Sequence, residues 1–185
     1  MEPTDYNWVY YRLKDGRELK IREVTVEDTA MLLTYINSVS GETDNLNFGA
    51  GEFGLTFDEE RQYLDNIRRS ENAIYLLGFI EEELVSALSF TCEQRERTKH
   101  TGEFGITVLK SHWGLGVGEA MLTTLIEWAK ISGIIRKINL TVRSDNERAI
   151  SLYKKSGFQY EGKRTRDLLV NGIFYDGILM GMEIN

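Results

Sequence analysis

Three glycines at alternate positions, in Trp113-Gly114-Leu115-Gly116-Val117-Gly118, are the residues of this chain best placed to do chemistry. Glycine lets a backbone approach a ligand closely. An extended apolar run, 104–109, enters the loop, and an amphipathic helical pattern leaves it. A helix N-terminus carries unpaired N–H groups and about half a positive charge, so strand, loop and helix together make a seat for a pyrophosphate. The Lys-Ser/Thr that closes a nucleotide-binding P-loop is missing, because Glu119-Ala120 follow Gly118. No acidic residue stands at the end of the next strand to hold a ribose, as a dinucleotide site requires. The same spacing also serves a plain strand-to-helix turn that holds no ligand.

Other chemistry is scarce. Cys92 is the single cysteine and His100 and His112 are the two histidines. One thiol in an apolar strand reads as packing, and two histidines are too few for a His-rich metal site or a nucleophile triad. No metal is expected. Glu81-Glu82-Glu83 reads as a solvated turn. The net charge of −7 over 185 residues argues against nucleic acid as a partner. No apolar run approaches the ~20 residues of a membrane span, so no membrane partner is expected. Met1-Glu2-Pro3-Thr4-Asp5 lacks the basic start and apolar core of a signal peptide. The expectation is one cytoplasmic domain spanning 1–185.

The elements that must position the loop follow from periodicity. Gly118, Met121, Leu122, Leu125, Ile126 and Ala129 form one helical face, with Glu119, Thr123, Glu127 and Lys130 opposite and Gly133 as the stop. Upstream, residues 7–13 and 19–24 flank the Asp15-Gly16 turn as a hairpin. Thr25 with Asp28, Thr56 with Glu59, and Ser144 with Glu147 read as capping boxes opening three helices. Val26, Ala30, Leu33 and Ile36 should face inward in the first of these, and Phe57, Leu64 and Ile67 in the second. Residues 40–55, rich in glycine with two phenylalanines, read as a functional lid or a connector. Residues 73–80, 84–92 and 101–109 form an antiparallel meander, with a charged connection at 94–100. Residues 136–142 follow the long helix as a parallel neighbour of 104–109 in a βαβ unit. Gly157 ends the last helix, and 158–161 and 174–184 are the last strands, with Val170-Asn171-Gly172 at the corner between them. The fold class is α/β, a single mixed twisted sheet of about seven strands flanked by about four helices.

This order and three local patterns resemble the GNAT superfamily of acyl-CoA-dependent N-acyltransferases. The patterns are Trp113-x-x-Gly116-x-Gly118, Asn146-x-x-Ala149, and Leu152-Tyr153-x-x-x-Gly157-Phe158. The resemblance covers about residues 17–184. Trp113 stands where the family's loop usually opens with Arg or Gln. The segment 13–22, the Trp-Gly pair and the ending Val170-Asn171-Gly172…Tyr175-Asp176 look like the branch acting on free amino acids or small amines. The resemblance implies acetyl-CoA as cosubstrate, lying between two splayed parallel strands. The backbone of Ile106, Thr107 and Val108 would bond the pantetheine amides. The amides of Gly114, Leu115, Gly116, Val117, Gly118 and Glu119 would hold the pyrophosphate. Asn146 would bond the pantetheine or acetyl end, or simply cap its helix.

Tyr153 would protonate the leaving thiolate, a reasonable match for a phenol with pKa of about 10 and a thiol of about 8.5. Glu103, on the strand leading to the site, would take the amine's proton directly or through water. The expected function is acetyl transfer from acetyl-CoA to a primary amine of a small molecule or amino acid, by direct attack in a ternary complex. The alternatives are acetylation of a protein N-terminus or lysine, and a non-catalytic acyl-CoA sensor. The resemblance also implies a homodimer formed through the terminal strands.

Overall fold

The uninterrupted apolar run Ile74–Ile80 is buried at every residue, which places it at the centre of a sheet covered on both faces. The computed structural model describes residues 7–185; the leaderless reading of residues 1–5 lies outside the described residues. In chain order the elements are β1 (Val9–Arg12), β2 (Glu18–Glu23), α1 (Thr29–Ser40), α2 (Phe57–Arg68), β3 (Ile74–Ile80), β4 (Glu83–Cys92) and β5 (Thr101–Val108). They continue with α3 (Val117–Ser132), β6 (Lys137–Arg143), α4 (Glu147–Lys155), β7 (Gln159–Val170) and β8 (Ile173–Glu183). The strands form one eight-stranded mixed sheet in the order β1-β2-β3-β4-β5-β6-β8-β7. β1 joins it as an edge strand, bringing the sheet to eight strands.

Side-chain parity assigns the two faces. Gly78 faces α3, where an added Cβ would sit 3.0 Å from Met121 Sδ. Phe90 meets Trp128 of α3 edge to face at 5.8 Å, and its register partner Phe104 meets Tyr153 of α4 at 5.8 Å. The opposite parity, Tyr75, Ser89, Glu103, Gly105 and Thr107, faces α1 and α2. There the Tyr35 hydroxyl lies 2.9 Å from Thr107 Oγ1.

β5 and β6 are parallel neighbours, but they pair only from Thr101↔Lys137 to Glu103↔Asn139. Beyond that point the strands diverge and the sheet opens.

Four local expectations shift, the first being the strand expected at 158–161, which runs on to Val170 as β7. Thr25 and Asp28 cap a 3-10 turn, Val26–Asp28, and α1 starts only at Thr29. The buried face of α1 is therefore Thr29, Leu32, Tyr35, Ile36 and Val39, while Ala30 is exposed. In α2, Phe57 in the first turn is exposed and Glu60 takes its place in the stripe with Leu64 and Ile67. The Ser144–Glu147 box does not form. Asn146 caps α4 instead, and the Ser144 N–H bonds Asp176 O at 2.8 Å.

Candidate active site

The opening in the sheet exposes one edge of β5. The Leu109 N–H donates to Val85 O at 3.0 Å, extending the β4–β5 register by one pair. Bonded and non-bonded pairs alternate in an antiparallel ladder, so Thr107 directs its N–H and C=O at Ala87 of β4. Its carbonyl also accepts from Ser86 Oγ at 2.7 Å. The even-numbered residues point the other way, and past Glu103 no strand lies opposite them. Ile106 and Val108 thus present backbone groups to the gap, and Thr107 does not. The backbone parity of Thr107 places its N–H and C=O on the β4 side. The Val108 carbonyl takes the Trp113 indole N–H at 2.8 Å, which leaves its amide facing the gap.

The glycine loop follows directly. Gly114 (φ +81°) and Gly116 (φ +101°) occupy left-handed backbone that a side chain would strain. Gly116 is the N-cap of α3 and offers no side-chain cap. The Ala120 N–H makes the first helical bond, to Gly116 O at 3.0 Å. The amides of Val117, Gly118 and Glu119 precede it and have no intrahelical acceptor. Gly118 lets α4 approach, since a Cβ there would sit 3.1 Å from Leu152 Cδ2. Leu115 alone of the loop's expected ligands points away from the main cavity. Its carbonyl accepts the Lys14 N–H at 3.0 Å, and it lines a separate shallow depression. The Glu119 carboxylate is drawn off by Lys155 at 2.9 Å.

Tyr153 and Glu103 border one cavity of about 730 Å³ from opposite faces of the sheet. Tyr153 is buried between Phe104 and Phe158, and this burial pushes its hydroxyl pKa up to about 12. Glu103 is exposed and makes no side-chain hydrogen bond or ion pair among the described residues. Asn146 Oδ1 accepts the Ala149 N–H at 3.2 Å, so its cap is real, and its side chain also lines the cavity. Residues 43–48 and Phe53 roof the cavity, with Phe48 and Phe53 in ring contact at 5.4 Å. Among the described residues no group of three or more His, Cys, Asp or Glu side chains could hold a metal. Burial raises the Cys92 thiol to about 11, the opposite of an activated nucleophile.

A family model, the acetyltransferase (GNAT) family, matches residues 43–158. The chain belongs to this family. A GNAT-family acetyltransferase structure from Streptococcus pneumoniae superposes with a TM-score of 0.87 at 37% identity, covering 90% of this chain and 99% of that one. An Escherichia coli L-amino acid N-acetyltransferase is 37% identical over 106 residues, 57% of this chain and 65% of that enzyme, so the match spans just under two thirds of its length. A putative acetyltransferase from Salmonella typhimurium, solved with acetyl-CoA, shares the fold at a TM-score of 0.78 and 19% identity, over 90% of this chain and 94% of that one.

Against the family's usual loop, the replacement of Arg or Gln by Trp113 has a visible consequence. The Arg148 guanidinium lies over the Trp113 ring, 5.2 Å from its centroid, with Nη2 3.1 Å from where a Gly114 Cβ would stand. A cation therefore overhangs the glycine loop from α4. Sequence spacing missed Arg148 because its approach depends on how α4 docks across α3. At the far end of the cavity, Arg143 holds the roof. It donates to Asp44 O at 2.7 Å, pairs with Asp145 at 2.6 Å, and lies 4.3 Å over the Tyr175 ring. Arg164, Asp167 and Leu168 reach the same end from an irregular stretch of β7.

Proposed function

We propose that this protein transfers the acetyl group of acetyl-CoA to the primary amine of a small molecule or amino acid. The observation that carries the reading is that the glycine cradle, the unpaired edge of β5 and Tyr153 all border one cavity. The residues fit the cosubstrate. Left-handed glycines and three amides without intrahelical acceptors make an anion seat, and β5 offers the backbone pattern of a strand edge to an extended diamide.

Acetyl-CoA would supply an acetyl group activated as a thioester. Ile106 and the Val108 amide would hold the pantetheine arm, and the amides of Val117, Gly118 and Glu119 the pyrophosphate, with Arg148 above it. Glu103 would take the proton of the incoming amine, directly or through water. As the new C–N bond forms and the C–S bond breaks, Tyr153 would donate its proton to the departing sulfur. Its raised pKa keeps that proton in place throughout the neutral range. The roof formed by residues 43–48 and Phe53 favours a small acceptor over a folded protein surface, and the E. coli relative's amino acid acceptors accord with that size.

The test is acetyl-CoA binding by calorimetry, with thiol release followed against amino acids, polyamines, aminoglycosides and N-terminal peptides. Binding with turnover of one small-amine class supports the reading. Turnover of peptides alone would move the acceptor to proteins, and a failure to bind acetyl-CoA would overturn the reading.

A further inference from the structure

Both carboxylate oxygens of Glu60 are buried without a hydrogen-bond partner, and the residue is 0% exposed. Buried polar groups are almost always partnered, so an orphan carboxylate calls for a reason. Glu60 sits on the sheet-facing stripe of α2. α2 packs on β3, and the Glu60 charge disfavours ionisation of the Tyr75 hydroxyl there. Tyr75 pairs in register with Ser89, and Ser89 with Gly105. This row crosses three strands on the α1/α2 face and borders the cavity throughout. It ends at Gly105, above which an added Cβ would meet nothing within 4 Å, beside the gap in the sheet.

Among the described residues no cation is hydrogen-bonded or ion-paired to the carboxylate. From α1 comes the neutral Tyr35. The turn packed on α2 brings Asp28, which is bound to Arg22 at 2.7 Å. Burial alone shifts Glu60, to about 6, so it is charged at neutral pH. A lone charge in a poorly polarisable interior acts over a longer range than one in water.

We propose that Glu60 supplies the negative charge that draws the acceptor's ammonium group into the space over Gly105, its field acting through the poorly polarisable interior beneath the Tyr75–Ser89–Gly105 row. It is a positioning residue and does not touch the substrate. The proposal rests on the acetyl-transfer reading and deepens it: the acceptor enters as a cation and only then yields its proton to Glu103.

The experiment compares the wild-type protein with Glu60→Gln, using the best acceptor of the panel and a β-trifluorinated analogue whose amine is uncharged at neutral pH. For the charged acceptor, Glu60→Gln should raise KM about tenfold, equivalent to about 1.4 kcal/mol. Its kcat and acetyl-CoA affinity should be unchanged. The analogue's KM should not move. In the wild type, KM for the charged acceptor should climb as pH falls through about 6, while the variant stays flat. Equal changes for both acceptors, or an unchanged KM, would overturn the proposal while leaving acetyl transfer intact. A wild-type protein that binds acetyl-CoA and turns over no amine would overturn both.

Discussion

Arg148 of α4 lies over the ring of Trp113, while the Trp113 indole N–H donates to Val108 O at 2.8 Å. One side chain thus ties the last residue of β5, the glycine loop and α4 together. The loop position that usually carries a polar side chain has become a platform, and the cation arrives from another element. A guanidinium over an aromatic face keeps its planar donors free at the edge, so it can still meet a phosphate.

If Arg148 meets the pyrophosphate, Arg148→Ala should weaken acetyl-CoA binding about tenfold, the worth of a charge-assisted hydrogen bond. Affinity should also lose part of its dependence on salt. Binding of acetyl-pantetheine, which has no pyrophosphate, should be unaffected. Calorimetry with the two thioesters reads the difference, and an equal loss for both would assign Arg148 a purely structural role.

Tyr153→Phe removes one oxygen from a site enclosed by Phe104 and Phe158. The fold should hold, and kcat should fall by roughly a hundredfold or more, the usual contribution of a positioned general acid. Because the wild-type hydroxyl titrates only near 12, its rate profile should show no alkaline limb from this group below about pH 11. Unchanged turnover in the variant would require a different proton donor.

Gly114→Ala should cost stability and binding together. The residue sits at φ +81°, and a Cβ would stand 3.1 Å from Arg148 Nη2. The backbone strain is about 1–2 kcal/mol, and Arg148 would be pushed off the loop. Gly116→Ala meets open space, so it should show the strain without displacing Arg148. Thermal unfolding and acetyl-CoA affinity, measured on both variants, separate the two effects.

The legible parts of the fold were those written in local pattern. The apolar run of β3, the glycine stop at Gly133 and the Asn171-Gly172 corner each announce themselves, and each stands where it was expected. Less legible was anything that depends on phase. A 3-10 turn before α1 rotates its buried face by about one residue, and the strand register decides that Thr107 bonds β4 while its neighbours face the gap. Arg148 required knowing how α4 crosses the loop. Glu60 is hidden differently: it lies at the i position of an i, i+4, i+7 stripe with Leu64 and Ile67, and a charged residue at such a position normally faces water.

Asp28 offers a stability test away from the cavity. Burial works to raise its pKa, but the Arg22 guanidinium at 2.7 Å and the Thr25 N–H outweigh it and hold the carboxyl below its ordinary value. A depressed pKa contributes stability that is present above the unfolded value of about 3.9 and is lost as pH falls through the folded one. Asp28→Asn should therefore destabilise by about 3 kcal/mol at neutral pH, the cost of stranding a buried partner. The gap to wild type should narrow in acid. Urea unfolding at neutral pH and near pH 3 reads both quantities, and a gap that is independent of pH would exclude the linkage.

Glu60 reverses that sign. Its folded pKa, about 6, lies above the value of about 4.3 for an unfolded glutamate. The protonated form is the comfortable one, so stability is fully present below about pH 4 and is lost as pH rises through about 6. Above that the buried charge costs about 2 kcal/mol, which the wild-type protein retains. Glu60→Gln keeps the shape and removes the charge. It should unfold at higher urea than wild type at pH 8 and lose that advantage near pH 4. A variant that is less stable at pH 8 would mean that the carboxylate has a partner in solution, and the cost assigned to its burial would not stand.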